Sequence, residues 1–263
     1  MAAVFNSPEI SFQLNLDGAA VLAPAPVESP IDIFYEQRLL ALNLAGSPPL
    51  SSDYSRPLGL VPLFAGAEMY FRRFIARSVS ICPFVAEHAS TQQVALGSFL
   101  SLDKSERAFA ISEHQGFTSE GEISRRTQKI TGIDINRYAS LKAAIQDFET
   151  VCHVRHSIVH CNGELMFIGR RTIGVSKVGR LILSMSVADY QNVVVKVSNV
   201  VRAYNGIMGN ELSKRWFREG YLSGKWGDDR RKFLKLISLV WSVTDMGPQP
   251  TCRALYDQIR TSV

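Results

Sequence analysis

The sequence predicts a mostly α-helical fold with one small β element and an N-terminal extension. Apolar residues recur at three- and four-residue steps through Val61–Val79 and again through Ile135–His160, the period of a helix with one buried face. Ser186-Val-Ala-Asp189 resembles a capping box, with Asp in place of the usual Glu, and opens a third long helix. The stretch with most strand character, Glu164–Met185, is interrupted by Gly169, Gly174 and Gly179, so a small hairpin is expected there.

The elements follow in order. Residues 1–57 read as an extension. Ile10-Ser-Phe-Gln-Leu-Asn-Leu16 alternates apolar and polar residues like a half-buried strand, and Pro24, Pro26 and Pro30 then break the chain. Asp32–Ala45 predicts a helix with Ile33, Phe34, Leu39, Leu40 and Leu42 as its apolar positions, and the serine- and proline-rich stretch Ser47–Ser55 reads as a linker. The helical core spans 58–210. In Val61–Val79 the apolar positions are Leu63, Phe64, Ala67, Phe71, Phe74 and Ile75, and Pro83 ends the helix. Shorter helices are expected at about 86–100, 103–115 and 119–131.

Along Ile135–His160 the apolar stripe reads Leu141, Ala144, Ile145, Phe148, Val151, Cys152 and Val159, with Asn162-Gly163 as the stop signal. The helix from Ser186 runs to about Gly209 and as far as Gly220. Residues 211–263 form a C-terminal helical extension, with helices at Asp228–Val243 and Thr251–Ile259.

Composition bounds the function classes. A chain of 263 residues with 46% hydrophobic and 20% charged residues can bury a large core. A net charge of +5 is compatible with a nucleic-acid partner. The four cysteines, Cys82, Cys152, Cys161 and Cys252, form no CxxC pair, which points to neither a zinc ribbon nor a disulfide framework and favours a reducing, cytoplasmic setting. Met1–Asn6 lacks the pattern of a secretory signal, and no apolar run reaches the ~20 residues that a membrane span needs. There is no GxxxxGK[ST] phosphate loop, no HExxH and no dinucleotide fingerprint.

The chemistry concentrates in His153-Val-Arg-His-Ser-Ile-Val-His160, which holds three of the five histidines. Imidazole exchanges a proton near neutral pH, and a guanidinium fork matches phosphate oxygens. A proton-transfer group beside a phosphate clamp suits phosphodiester cleavage. Arg155 and His160 are five positions apart, about 140° around a regular helix. His156 and His160 share a face, with His153 near His156. An unbroken helix therefore does not aim Arg155 and His160 at one spot. Either the arginine stem swings round, the helix loosens, or a second chain completes the site. His153, His156 and His160 could alternatively be metal ligands. Lys214-Arg-Trp-Phe-Arg218 could stack bases or pack into the core, and Arg72-Arg73, Arg125-Arg126, Arg170-Arg171 and Arg230-Arg231-Lys232 could track an RNA backbone.

Arg155-His-Ser-Ile-Val-His-Cys-Asn-Gly163 resembles the motif of the HEPN superfamily of ribonucleases: Arg, a polar residue, three or more further residues, then His. Leu63-Phe-Ala-Gly-Ala-Glu-Met-Tyr-Phe-Arg-Arg-Phe-Ile75 resembles that family's first long helix, with an acidic residue among apolar ones. Phe148, Glu149 and Asn162-Gly163 resemble its prokaryotic branch, found with toxin–antitoxin and phage-defence systems. The resemblance covers about residues 58–210. It implies a HEPN-like helical bundle, a homodimer with the motif at its interface, and metal-independent endoribonuclease activity without a cofactor.

Carried over, Arg155 and His160 are the catalytic pair, and His156 fills the polar position and orients the site. Glu68 would contact the motif, and Asn162 supports it. The partners implied are an RNA substrate, a second copy of the chain, and an inhibitory or activating protein. A toxin or antiviral effector is the expected setting. The alternative is a non-catalytic HEPN-like RNA-binding or dimerisation module acting as a scaffold or antitoxin-type partner.

Overall fold

The computed structural model describes residues 16–21, 23, 26–247 and 252–262. The strand expected at 10–16 lies, apart from Leu16, outside the described residues, as does Pro24. The helices are α1 (Leu16–Ala19), α2 (Pro30–Gly46), α3 (Val61–Ile81), α4 (Pro83–Ala89), α5 (Leu96–Ser101), α6 (Glu120–Thr131), α7 (Ala139–His160), α8 (Phe167–Thr172), α9 (Val187–Arg218), α10 (Trp226–Val240), α11 (Val243–Met246) and α12 (Cys252–Thr261). Short 3-10 turns occupy Arg56–Leu60, Arg107–Ile111 and Ile135–Arg137. The architecture is a helical bundle.

Local chemistry fixes the ends. In α2 Ser29 accepts from the Asp32 amide and Pro30 opens the first turn; a proline that stops the preceding chain also suits the first helical position, where no amide donor is needed. In α9 both hydrogen bonds of the capping box between Ser186 and Asp189 form, and the helix continues to Arg218. Ser119 caps α6, and Gly132, with φ 70°, takes the left-handed position that ends it. The single helix expected at 86–100 divides into α4 and α5, and the one at 103–115 shrinks to the turn Arg107–Ile111.

The expected hairpin reduces to one antiparallel bridge, Glu164 with Ile182. The intervening residues are taken up by α8 and by positive φ angles at Gly174 and Gly179, which leaves no paired run.

The core lies among α2, α3, α7, α9 and α10. Phe71 stacks on Phe117, meets Tyr204 edge-on at 5.0 Å between centroids, and tilts against Phe148. Close packing of α2 on α3 depends on Gly66, where a Cβ would come within 2.7 Å of the Gln37 Cβ. Two expected apolar positions of α2 face outward: Leu39 and Leu40 are exposed, while Ile31, Phe34, Tyr35 and Ala41 are buried. Polar ties cross the bundle. Tyr70 donates to Asn205 Oδ1 at 3.2 Å, Asn205 Nδ2 donates to the Val240 carbonyl, and the Thr127 and Tyr204 hydroxyls lie 2.9 Å apart. Trp216 is fully buried, with its indole N–H on Cys82 Sγ. Phe217 packs on Tyr256 at 5.3 Å. The Lys214–Arg218 run thus gives its Trp216 ring to the core, where no base can stack on it.

The C-terminal helices belong to the same apolar cluster. Buried Asp229 of α10 accepts from the Ser223 and Gly224 amides, each at 3.0 Å, and from the Tyr256 hydroxyl of α12.

Candidate active site

Helix α7 carries the candidate residues. Its buried stripe is Leu141, Ile145, Phe148, Val151, Val154, Ser157 and Ile158, three- and four-residue steps that hold the helix against the bundle. Val159 falls off this stripe and is 46% exposed, which corrects its placement among the core positions. Ile158, beside it, belongs to the chain's own core. The helix is regular through His160. At its end the Ser157 carbonyl accepts from the Cys161 and Gly163 amides, and Asn162 and Gly163 both take positive φ. The stop signal therefore acts where the sequence places it, and Asn162 is a turn residue at the exposed edge of the site.

Regularity settles the orientation. The guanidinium of Arg155 turns toward α3, with its Nη2 3.2 Å from Glu68 Oε1. The other carboxylate oxygen, Oε2, meets Arg72 Nη2 at 3.5 Å, and Arg72 also donates from Nε to the Gln115 carbonyl at 3.0 Å. Glu68 is largely buried, its side chain 12% exposed, and Arg155 keeps 33% exposure. The carboxylate thus lies in ion-pair range of two guanidiniums, and Arg155 stays partly open to solvent.

His156 and His160 are exposed and adjacent, with ring centroids 5.0 Å apart. Among the described residues no hydrogen bond or ion pair joins Arg155 to His160. The α-helix runs without a break through His160.

Sequence reasoning named Glu68, Glu149 and the two arginine pairs but missed Glu122 and the ion pairs of Glu68 with Arg72 and of Glu122 with Arg126. Glu122 accepts from the Thr118 amide and hydroxyl and from Arg126 Nη2 at 3.3 Å. Burial opposes ionisation of Glu122, but these hydrogen bonds and Arg126 together hold its carboxyl below the usual range. The i,i+4 spacings of Glu68 with Arg72 and of Glu122 with Arg126 were visible signals. Glu149 accepts from the Glu120 amide at 3.0 Å, a negative charge at the N-terminus of α6. The basic pairs Arg72-Arg73 and Arg125-Arg126 thus each give an arginine to an internal ion pair.

Burial pushes the Cys152 thiol up to about 12, with Arg155 opposing the rise. The thiol therefore stays protonated at neutral pH, which makes it a poor nucleophile and metal ligand. Among the described residues no group of three or more His, Cys, Asp or Glu side chains is placed to hold a metal ion. No helix among them is long and apolar enough to cross a membrane.

Fold and site together define a helical bundle that presents an anchored arginine and an exposed histidine pair at one helix end. Comparison with protein-family models, curated proteins and solved structures returns no match for this chain.

Proposed function

We propose that the protein is a metal-independent endoribonuclease of HEPN type, with Arg155 and His160 as its catalytic pair. One observation carries the reading: Glu68, named from the sequence as the acidic partner on the first long helix, lies in ion-pair contact with Arg155. That contact holds a cation on the helix that also carries two exposed imidazoles, the residue types that phosphodiester cleavage uses. In the reaction, the RNA 2′-hydroxyl oxygen bonds to phosphorus as the P–O5′ bond breaks. One histidine removes the 2′ proton and a second protonates the leaving 5′-oxygen. The products are a 2′,3′-cyclic phosphate and a 5′-hydroxyl end.

Each chain supplies one terminal motif histidine, His160, so a two-fold dimer would complete the acid–base pair. The exposure of His160, with no bond to Arg155 of its own chain, suits that arrangement. The biological setting of this reading is a toxin or antiviral effector acting on RNA. The same separation of Arg155 from His160 favours a second reading, a HEPN-like binding or dimerisation module that does not cut.

The test is incubation of purified protein with RNA in EDTA. Cleavage with cyclic-phosphate ends is expected. Strict dependence on added Mg²⁺ or Zn²⁺ with 5′-phosphate ends would assign the chemistry to a metal-activated water. Binding without cleavage across varied RNAs would favour the second reading.

A further inference from the structure

Residues 164–185 fold back on the end of α7. The Gly163 carbonyl accepts from the Leu183 amide at 2.7 Å, and the Leu165 amide donates to the Leu181 carbonyl at 2.9 Å. A Cβ on Gly169 would lie 4.0 Å from Ser157 Oγ. Helix α8 therefore sits beside the turn that presents His156 and His160. Arg170 clasps the segment by donating to the Gly179 carbonyl at 2.8 Å, and the Val175 amide donates to the Arg170 carbonyl at 2.8 Å.

These ties frame an open groove of about 450 Å³, lined by Phe167, Arg170, Arg171, Lys177 and Val178 among others. It has three cations and no carboxylate in its wall. Phe167 is 69% exposed, and Arg171 and Lys177 are exposed too. Met166, Ile168 and Val178 are exposed as well, and exposed apolar residues gathered in one segment, unlike single ones, point to a binding surface. The cations around it select an anionic occupant. A nucleotide brings both an anionic phosphate and a flat aromatic face, and so matches both features of the groove. Its base must be unstacked to lie on Phe167, which a duplex does not permit without opening. A second copy of the groove is a poor occupant, because a two-fold contact would set these cations against themselves.

We propose that the groove beside α8 binds single-stranded RNA, with one base stacked on Phe167 and the flanking phosphates held by Arg171 and Lys177. The proposal rests on the ribonuclease reading for its purpose, delivery of a strand to the end of α7. Binding itself requires no cleavage, so the two fail separately.

The test uses the full chain carrying His160→Ala, and fluorescence anisotropy with a labelled 12-nucleotide single-stranded RNA and with the matching duplex. Adding Phe167→Ala should weaken single-strand binding about tenfold or more. Adding Arg171→Ala together with Lys177→Ala should weaken it and lower the slope of log K against log salt by about 1.4, for two lost phosphate contacts. The duplex should bind more weakly than the single strand. Unchanged affinity in both variants, or no binding of single-stranded RNA at all, would overturn the proposal. So would unchanged RNA binding alongside a dimer-to-monomer change in sedimentation, which would give the groove to a second copy. A wild-type chain that binds through the groove but cuts nothing removes the ribonuclease reading alone. One that cuts RNA with the same KM after Phe167→Ala removes the groove alone.

Discussion

Arg155 of α7 and Glu68 of α3 form an ion pair across two helices, 87 residues apart in sequence, at 3.2 Å. The pair determines which way the arginine points and so what remains for the histidines.

Replacing the catalytic pair should separate activity from folding. His160→Ala should lower RNA cleavage by about 10²- to 10⁴-fold, the usual contribution of a proton-transfer group. Arg155→Ala should cost about 10²- to 10³-fold by removing charge stabilisation. His156→Ala should be milder. Both His160 and His156 are exposed, so the histidine variants should keep the wild-type melting curve. Wild-type cleavage by His160→Ala or Arg155→Ala, with contaminating nuclease excluded, would remove the motif from the mechanism.

Glu68→Gln tests anchoring of the arginine. The carboxylate is nearly buried between two cations, but Arg155 is partly exposed. The loss should therefore be about 1–2 kcal/mol, below the ~3–5 of a fully buried broken pair. Cleavage should fall because Arg155 is no longer held. A loss of stability with no loss of kcat would limit Glu68 to a structural role.

Subunit mixing tests assembly. Excess His160→Ala chains, given time to exchange, should poison wild-type cleavage by forming mixed dimers. Ile158 is buried within its own chain, so of the two apolar motif residues only Val159 can pack at such a junction, and Val159→Lys should weaken the dimer. A protein that sediments as a monomer while cutting at full rate would end the dimer model.

Acid stability should depend on Asp229. Burial opposes its charge, yet the Tyr256 hydroxyl and the Ser223 and Gly224 amides together hold its carboxyl below the ordinary value. A depressed carboxylate stabilises the fold above its unfolded pKa, and this is lost as pH falls through the folded value. Asp229→Asn should thus be less stable than wild type at pH 7, by about 1–3 kcal/mol. The difference should narrow below about pH 4. Urea titrations at pH 7 and pH 3 check this, and a constant difference would contradict it.

Gly66→Ala should wedge α2 from α3. The added methyl meets Gln37 at 2.7 Å, and overpacking of this kind costs about 1–3 kcal/mol. An unchanged urea midpoint would mean that α2 shifts freely.

The long helices were legible because one strong period runs through each. Val61–Val79 extends by only two residues at its C-terminal end, to Ile81, and the Ser186 cap is where the sequence puts it. The segment 164–185 was misjudged because its β-branched residues suggest strands while its glycines allow turns, and a single bridge forms. At the site, spacing fixed the separation of Arg155 from His160 around the helix. It could not show that Arg155 would meet a carboxylate from α3, since that contact depends on how two helices cross. Exposure of Val159 beside buried Ile158 follows from the stripe's phase, which the residues 141, 145, 148 and 151 already set.

Tyr70 lies two residues beyond Glu68 on α3, and its hydroxyl is fastened to Asn205 of α9, which in turn holds the Val240 carbonyl at the end of α10. Sliding α3 by a single helical step would separate the buried Tyr70 hydroxyl from Asn205 Oδ1 and leave both without that bond. The distance between the carboxylate and the arginine is therefore a ruled setting and not an adjustable one. Evolution or an engineer can retune this site by changing side chains at the helix end, but hardly by moving the helices that carry them.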